Sequence, residues 1–266
     1  MNTKITMQSR AKRGQLMILV LAGGIAMGNG SVAWAGFFDA CVQGQATIEV
    51  TQNTTVKNER VILPGSDFHT CQIDVADGVT LEFQNVHVTV TGDTSLRFQG
   101  GASSRLIIGH SIFHACDNDV FGFSAGVQID HSELKEPVGA GCDLMEIRPE
   151  GDLEILSSTL RTDTEMILAP CCSEPAGNTV TVQKSTLDAT QTSFGSYGNI
   201  FIGTGFSGTS LHTLVEKNDL TADRDIEIGA QQDTTVIKND FEAGGGITIT
   251  GNPCTSEFNR PEVPCL

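Results

Sequence analysis

Residues 106–113 read LIIGHSIF, and residues 127–134 read VQIDHSEL. Both stretches follow one pattern: apolar, any, apolar, any, any, Ser or Asn, any, apolar. Further copies begin at Leu153, Val180, Thr213 and Thr234. Alternation by two is typical of β-strands, and the three-residue step before the Ser or Asn indicates a bend between two of them. A seventh match, over residues 247–254, fits the letters but overlaps a second series and is interpreted as the start of an unfinished repeat.

The second series consists of apolar doublets that lie between these copies. Its members are Leu96/Phe98, Phe121/Phe123, Met145/Ile147, Met166/Leu168, Ile200/Ile202, Ile226/Ile228 and Ile247/Ile249. Each repeat therefore predicts three short strands: the doublet, the strand before the bend and the strand after it. A repeat this short cannot bury its own apolar face, so successive copies must stack on one another. We predict an all-β solenoid of about seven three-strand coils with disulfides.

Three-strand coils with an inward Ser or Asn at one bend resemble the right-handed parallel β-helix proteins, the pectate-lyase-like superfamily. The resemblance covers the repeat region, residues 79–251, and implies a right-handed parallel β-helix. It does not extend to any catalytic motif of those enzymes. We expect residues 36–78 to form an N-terminal cap and a first irregular coil, and residues 252–266 to form a C-terminal tail.

The first 35 residues are typical of an export signal. Basic residues precede an apolar stretch from Leu16 to Met27, and the small residues Ala33 and Ala35 mark a cleavage site. We expect residues 1–35 to be removed and the remaining chain to be periplasmic or secreted. No later run of about 18 apolar residues is present, so no membrane span is expected.

The chain is strongly acidic, with 16 basic and 32 acidic residues and a net charge of −16. Residues 1–35 contain four basic and no acidic residues, so their removal leaves 12 basic and 32 acidic residues and a charge of −20. Nucleic acid is a poor partner for such a body, and a polyuronate chain would need a bridging divalent cation. A polysaccharide or another envelope component is the candidate partner, and the sequence does not indicate an oligomeric state.

All eight cysteines lie after residue 35, and an even number in an exported chain predicts disulfides. Cys116 and Cys142 lie one coil apart at matching positions. Stacked positions are about 4.8 Å apart, within the range that a disulfide spans. The remaining candidates are one pair at each end of the chain, and the pairing of Cys171 and Cys172 stays open. The predicted disulfides are Cys41–Cys71, Cys116–Cys142 and Cys254–Cys265.

Acidic residues gather just before the doublets, where Asp119 and Asp143 share one register. Two carboxylates about 5 Å apart repel each other, and a bound Ca²⁺ would turn this repulsion into attraction. These two residues are therefore candidate calcium ligands. Lyases of the superfamily that the chain resembles use an Arg or Lys base beside calcium-binding acids, and Arg148 is the candidate for such a base.

The residues that precede the bends form an outward column. His110 and His131 would be neighbours on adjacent coils, and they are candidate ligands for a transition metal, although the sequence shows no well-placed third ligand. The lysines farther along are a candidate docking strip for an anionic ligand. The column consists of His110, His131, Ser157, Lys184, Lys217 and Lys238.

The coil from Met166 to Ile200 is the longest, because two segments rich in Gly, Ser, Thr, Pro and Asn extend it. In solenoids, extra length forms loops on one face, which is often the binding face. Phe194 and Tyr197 lie in this insertion and are candidate ligand contacts. The chain has one Tyr and one Trp, and the Trp belongs to the export signal. The remaining chain therefore has too few of these residues to form an aromatic platform for sugar binding.

These features predict a non-enzymatic exported β-helix protein with a role in surface binding or envelope structure. The reason is that the sequence has a complete structural repeat and no recognisable set of catalytic residues. The alternative is a carbohydrate-active enzyme, a calcium-assisted lyase that acts near Asp119, Asp143 and Arg148. A third hypothesis is a metal-binding exported protein that uses His110 and His131.

Overall fold

The computed structural model describes residues 36–42, 46–64, 70–92, 94–136, 142, 144–170, 178–190, 198–205 and 208–266. This part of the chain contains one short helix, α1 (Asp39–Val42), followed by 28 strands. The first fifteen strands are β1 (Ala46–Val50), β2 (Thr54–Lys57), β3 (Arg60–Pro64), β4 (Thr70–Val75), β5 (Thr80–Gln84), β6 (His87–Thr91), β7 (Ser95–Gly100), β8 (Arg105–Gly109), β9 (Ile112–His114), β10 (Cys116–Gly122), β11 (Val127–Asp130), β12 (Glu133–Lys135), β13 (Leu144–Pro149), β14 (Leu153–Leu156) and β15 (Thr159–Thr162).

The remaining strands are β16 (Glu165–Leu168), β17 (Thr179–Gln183), β18 (Thr186–Ala189), β19 (Ile200–Ile202), β20 (Thr204–Gly205), β21 (Gly208–Thr209), β22 (His212–Glu216), β23 (Asp219–Ala222), β24 (Ile226–Gly229), β25 (Thr234–Ile237), β26 (Asp240–Ala243), β27 (Ile247–Thr250) and β28 (Cys254–Glu257). Strands β20 and β21 form a small antiparallel hairpin.

The other strands form three parallel sheets, each of which takes one strand from every coil. Sheet A has the order β1-β4-β7-β10-β13-β16-β19-β24-β27, and sheet B has the order β2-β5-β8-β11-β14-β17-β22-β25-β28. Sheet C has the order β3-β6-β9-β12-β15-β18-β23-β26. The predicted all-β solenoid with three strands per coil is confirmed. Strand β27, whose residues match the seventh copy, lies in sheet A, as expected for the first strand of an unfinished coil.

Alternation along each strand places one set of side chains in a common core. In sheet B, Ile108, Ile129 and Ile155 are fully buried and occupy equivalent positions on neighbouring strands. Three phenylalanines from the three sheets, Phe83, Phe98 and Phe113, meet in this core with ring centroids 5.4–5.9 Å apart. Their edge-to-face geometry adds to the stability that burial provides.

One predicted doublet is wrong. The core pair of β10 is Asn118 and Val120, which oppose Leu96 and Phe98 of β7, rather than Phe121 and Phe123. A register shift between Cys116 and Asn118 moves the strand relative to its neighbour. As a result Phe121 is only partly buried and faces outward, whereas Phe123 is buried in the turn that follows the strand.

Both ends of the described solenoid are covered. At the N-terminal end, Phe38 is fully buried and stacks on Phe83 with ring centroids 5.9 Å apart. At the C-terminal end, β28 pairs with β25, so the segment that was expected to be a tail contributes a strand. Bridges from Asp240 to Arg260 and from Ile249 to Cys265 continue the cover. Covered ends hide strand edges that would otherwise pair with another chain.

Disulfides join Cys41 to Cys71, Cys116 to Cys142 and Cys254 to Cys265, with Cα–Cα distances of 5.4, 5.2 and 6.0 Å. These are the three predicted pairs, of which Cys116–Cys142 was predicted from the coil register. Cys171 and Cys172 lie outside the described residues. In the described ranges, no helix has the length and apolar character needed to cross a membrane.

Candidate functional site

A buried polar ladder runs along the corner between sheets B and C. Each ladder side chain accepts, through its oxygen, a hydrogen bond of 2.8–3.2 Å from the backbone N–H of the equivalent residue one coil earlier, and Val86 donates at the start of the series. The ladder thus satisfies backbone groups at a bend where sheet pairing is interrupted, as predicted. Its members are Ser111, Ser132, Ser158, Ser185, Asn218, Asn239 and Asn259.

The serine hydroxyls of this ladder are also donors. Ser111 Oγ donates to Gly109 O at 2.8 Å, and Ser132 Oγ donates to Asp130 O at 2.8 Å. Both serines are buried and engaged on two sides, so their role is structural rather than nucleophilic. The sequence analysis missed Asn259, although its spacing of 20 residues from Asn239 continues the repeat.

The residue before each ladder position, and the equivalent residue in the first two coils, adopts left-handed backbone geometry, with φ between 47° and 59°. This conformation is uncommon for residues other than glycine, and it turns the chain sharply between two strands. The side chain therefore projects outward at the same corner in every coil. We call this series the corner column; its members are Asn58, Asn85, His110, His131, Ser157, Lys184, Lys217, Lys238 and Phe258.

The corner column brings two histidines together, as the repeat predicts. The rings of His110 and His131 stack with centroids 5.0 Å apart and planes inclined by 24°. Asp130 joins them, since its Oδ1 lies 2.7 Å from His131 Nδ1. One nitrogen or oxygen from each of these three residues lies within 4.8 Å of the other two. The sequence analysis missed Asp130, whose adjacency to His131 was the available signal.

An open groove of about 650 Å³ begins beside this cluster and follows the outer face of sheet B. Gly109 opposes both Gln84 and Asp130 on the neighbouring strands, so the column of side chains there has a gap. Most side chains around the gap carry an amide or a carboxylate, and the others are one ammonium group, one imidazole and one aliphatic side chain. The lining residues are Lys57, Asn58, Glu82, Gln84, Asn85, Ile107, Gly109, His110, Gln128 and Asp130.

Asp119 lies away from the groove, on sheet A, where it is buried and paired with Arg97. Arg97 Nη2 donates to Asp119 Oδ2 at 2.9 Å, and Arg97 Nε donates to the same oxygen at 3.3 Å. Burial raises the pKa of Asp119 to about 6, against the opposing effect of Arg97. Asp143, the second predicted calcium ligand, lies outside the described residues, so the calcium site stays a prediction.

Arg148, the candidate base, lies on β13 opposite Phe121 of β10. Its side chain is only 12 % exposed, and its Nη1 lies 3.3 Å from Glu146 Oε1. Glu146 is in turn one of the charges that raise the pKa of Asp119. Arg148 therefore serves as a counter-ion to Glu146 and is largely withdrawn from solvent.

Glu136 is the most buried acid of this region, with 1 % exposure. Burial, with nearby Asp117, Asp163 and Asp119, raises the pKa of Glu136 to about 8. The Thr162 hydroxyl hydrogen-bonds one carboxyl oxygen, whereas the other has no hydrogen-bond partner among the described residues. Glu136 is therefore protonated at neutral pH.

The lysine strip is partly neutralised, because Lys217 Nζ lies 2.7 Å from Glu216 Oε1. This hydrogen bond is the main reason why the pKa of Glu216 is lowered. Phe194 and Tyr197 lie outside the described residues. Comparison of the chain with protein-family models, curated proteins and solved structures finds no match.

Proposed function

We propose that this chain is a non-enzymatic, exported binding protein that holds a neutral polysaccharide in the groove on sheet B. The observation that carries the proposal is the groove itself, which is open, crosses strands β2, β5, β8 and β11, and has an amide or carboxylate residue at six of its ten lining positions. A volume of about 650 Å³ lies in the usual range for small-molecule sites.

The chemistry of the lining suits hydroxyl-rich ligands. Amides such as Gln84 and Gln128 offer both donors and acceptors, and carboxylates such as Glu82 accept from hydroxyl groups. The exposed edge of Ile107 provides apolar contact for a sugar ring. The groove has two carboxylates, Glu82 and Asp130, and one ammonium group, Lys57. Because the whole chain is also acidic, an anionic polymer would be repelled.

A binding role also fits the disposition of the polar groups elsewhere. The ladder hydroxyls are buried and hydrogen-bonded, Asp119 is paired with Arg97, and Arg148 is withdrawn from solvent. The covered ends favour a discrete binding body over a filament that grows by strand addition.

Export is supported by two features. Residues 1–35 have the basic, apolar and small-residue pattern of an export signal, and three disulfides are in place. Disulfides persist in oxidising compartments. Fractionation of cells that express the full chain should place the processed protein outside the cytoplasm, and an unprocessed cytoplasmic protein would contradict this part of the proposal.

Calorimetric titration with neutral and acidic oligosaccharides tests the binding function. Because the groove has no Trp or Tyr on which sugars stack, we expect dissociation constants of about 0.1–1 mM, or roughly −4 to −5.5 kcal/mol, for a neutral oligosaccharide. The variant Gly109→Gln should fill the gap between Gln84 and Asp130 and abolish binding. A Cβ at this position meets nothing closer than Phe83 O at 3.7 Å, so the variant should fold.

The matched control is Leu156→Gln, which changes the same column one coil beyond Asp130 and outside the groove. It should bind as the unmodified protein does. Equal binding by Gly109→Gln would place the ligand elsewhere. Release of unsaturated or shortened products from acidic polysaccharides in the presence of calcium, lost in Arg148→Ala, would instead establish the lyase alternative.

A further inference from the structure

We propose that His110, Asp130 and His131 form a binding site for a divalent first-row transition metal ion, for which Zn²⁺ is the probe. This inference does not depend on carbohydrate binding, although His110 and Asp130 also line the groove. It supplies the third ligand that the sequence pattern by itself lacks.

The three donors converge because of the coil register. His110 and His131 occupy equivalent corners of adjacent coils, and the backbone N–H of each following serine is fastened to the next coil by the ladder. Asp130 extends from the end of β11, opposite Gly109, which has no side chain to block the space. One donor atom from each residue lies within 4.8 Å of the others.

The distances between these donor atoms are close to the donor–donor distances around a bound metal ion. Zn–N and Zn–O bonds are about 2.0–2.2 Å, so two donors on one tetrahedral ion lie about 3.4 Å apart. Rotation of two partly exposed imidazoles therefore needs to close a gap of at most about 1.4 Å. The His131 side chain is 56 % exposed and that of Asp130 is 33 % exposed, so both can adjust and an ion can reach them.

The donor set determines the class of metal. Two imidazole nitrogens and one carboxylate oxygen suit zinc, copper, nickel and cobalt, whereas calcium and magnesium prefer oxygen ligands alone. The ion would take the place of the direct contact of 2.7 Å between His131 Nδ1 and Asp130 Oδ1. The net charge of −16 favours cations near the surface, and Lys184 begins the lysine strip two coils away.

A second group of two histidines and an acid provides an internal contrast. His87 and His114 on sheet C lie edge to face with ring centroids 6.0 Å apart, and His114 Nε2 is 2.9 Å from Glu133 Oε1. Among the described residues, these three do not form a group whose donors all lie within 4.8 Å of one another. The convergent group that contains Cys116 and Cys142 is closed by their disulfide.

Isothermal titration of untagged, chelator-treated protein with Zn²⁺ tests the site. His110→Asn and His131→Asn remove one ligand each while keeping a residue that this corner accepts, since Asn58 and Asn85 adopt the same geometry in the corner column. We expect one high-affinity equivalent in the unmodified protein and at least a tenfold loss of affinity in each variant. Asp130→Asn should also weaken binding at least tenfold, because it removes the anionic ligand.

The control His114→Asn should retain the unmodified affinity and stoichiometry. A thermal melt of each protein with and without Zn²⁺ adds a second readout, because a ligand that binds only the folded state raises the melting temperature. The proposal is overturned if the protein takes up no zinc. It is also overturned if the double variant His110→Asn/His131→Asn binds zinc as tightly as the unmodified protein, or if His114→Asn abolishes zinc binding.

Discussion

Asn239 Oδ1 accepts two hydrogen bonds from Asn218 on the preceding coil, one from the backbone N–H and one from Nδ2, both at 2.9 Å. Asn239 Nδ2 donates in turn to Val215 O and to Asn259 Oδ1. One side chain thus joins three coils. Asn259 Oδ1 likewise accepts from both the backbone N–H and Nδ2 of Asn239, whereas Ser132 Oγ accepts only the backbone N–H of Ser111.

Replacement of Asn239 by Ala should destabilise the protein. The change leaves the buried N–H of Asn218 and the carbonyl of Val215 without their partners, and each unsatisfied buried group costs about 1–3 kcal/mol. Urea unfolding monitored by circular dichroism would measure the loss. Asn239→Ser should recover part of it, since Ser185 fills the equivalent position two coils earlier; equal stability of all three proteins would contradict the ladder.

The left-handed backbone of the corner column should make β-branched substitutions there destabilising. Ser157 has φ of 50°, a geometry that costs a β-branched side chain roughly 1–2 kcal/mol. Ser157→Val should lower the free energy of unfolding by about this amount, and Ser157→Gly should leave it unchanged or raise it. The control Thr159→Val lies on an exposed strand position and should be nearly neutral.

Removal of the disulfides should destabilise the protein in order of loop length. The Cys116–Cys142 bridge closes 26 residues and the Cys254–Cys265 bridge closes 11. The loop-closure relation gives about 3.5 kcal/mol for the first and about 2.8 kcal/mol for the second. Paired Cys→Ala variants, compared by urea unfolding, would measure both; a larger loss from the terminal bridge would show that strand packing rather than loop length sets the cost.

Because Glu136 is buried, we expect the free energy of unfolding to fall as pH rises. The folded protein holds the Glu136 proton up to about pH 8, because burial raises this pKa, whereas an unfolded chain releases it near pH 4.3. Between these values the folded state binds more protons than the unfolded state, so the free energy of unfolding decreases from about pH 4.5 to pH 8. Asp119, with its pKa raised to about 6, acts in the same direction over the lower part of this range.

Unfolding in urea at pH 5 and pH 9 would measure this dependence. Glu136→Gln keeps a neutral group beside Thr162 and should be more stable than the unmodified protein at pH 9, with a flatter profile. The exposed Glu154→Gln is the control and should keep the original slope. Equal slopes in Glu136→Gln and the unmodified protein would contradict the raised pKa of Glu136.

Much of the fold could be predicted, because a solenoid converts sequence period directly into contact. Residues 20–33 positions apart become neighbours, so the contacts of His110 with His131 and of Cys116 with Cys142 follow from counting. The doublet at Phe121 and Phe123 could not be predicted, because the register shift in β10 is a local departure from the period. The strand β28 was missed because polar residues replace its apolar ones.

The repeat of apolar, Ser and Asn residues by itself determined the stacked coils, the inward ladder and the outward corner column, since each depends only on strand alternation and period. Tertiary structure decided which outward groups meet. Asp130 joins two histidines because Gly109 leaves space opposite it, and Asp119 is paired with Arg97 because β10 shifts its register. Such encounters depend on side-chain size and strand offset in three dimensions, which a linear pattern does not record.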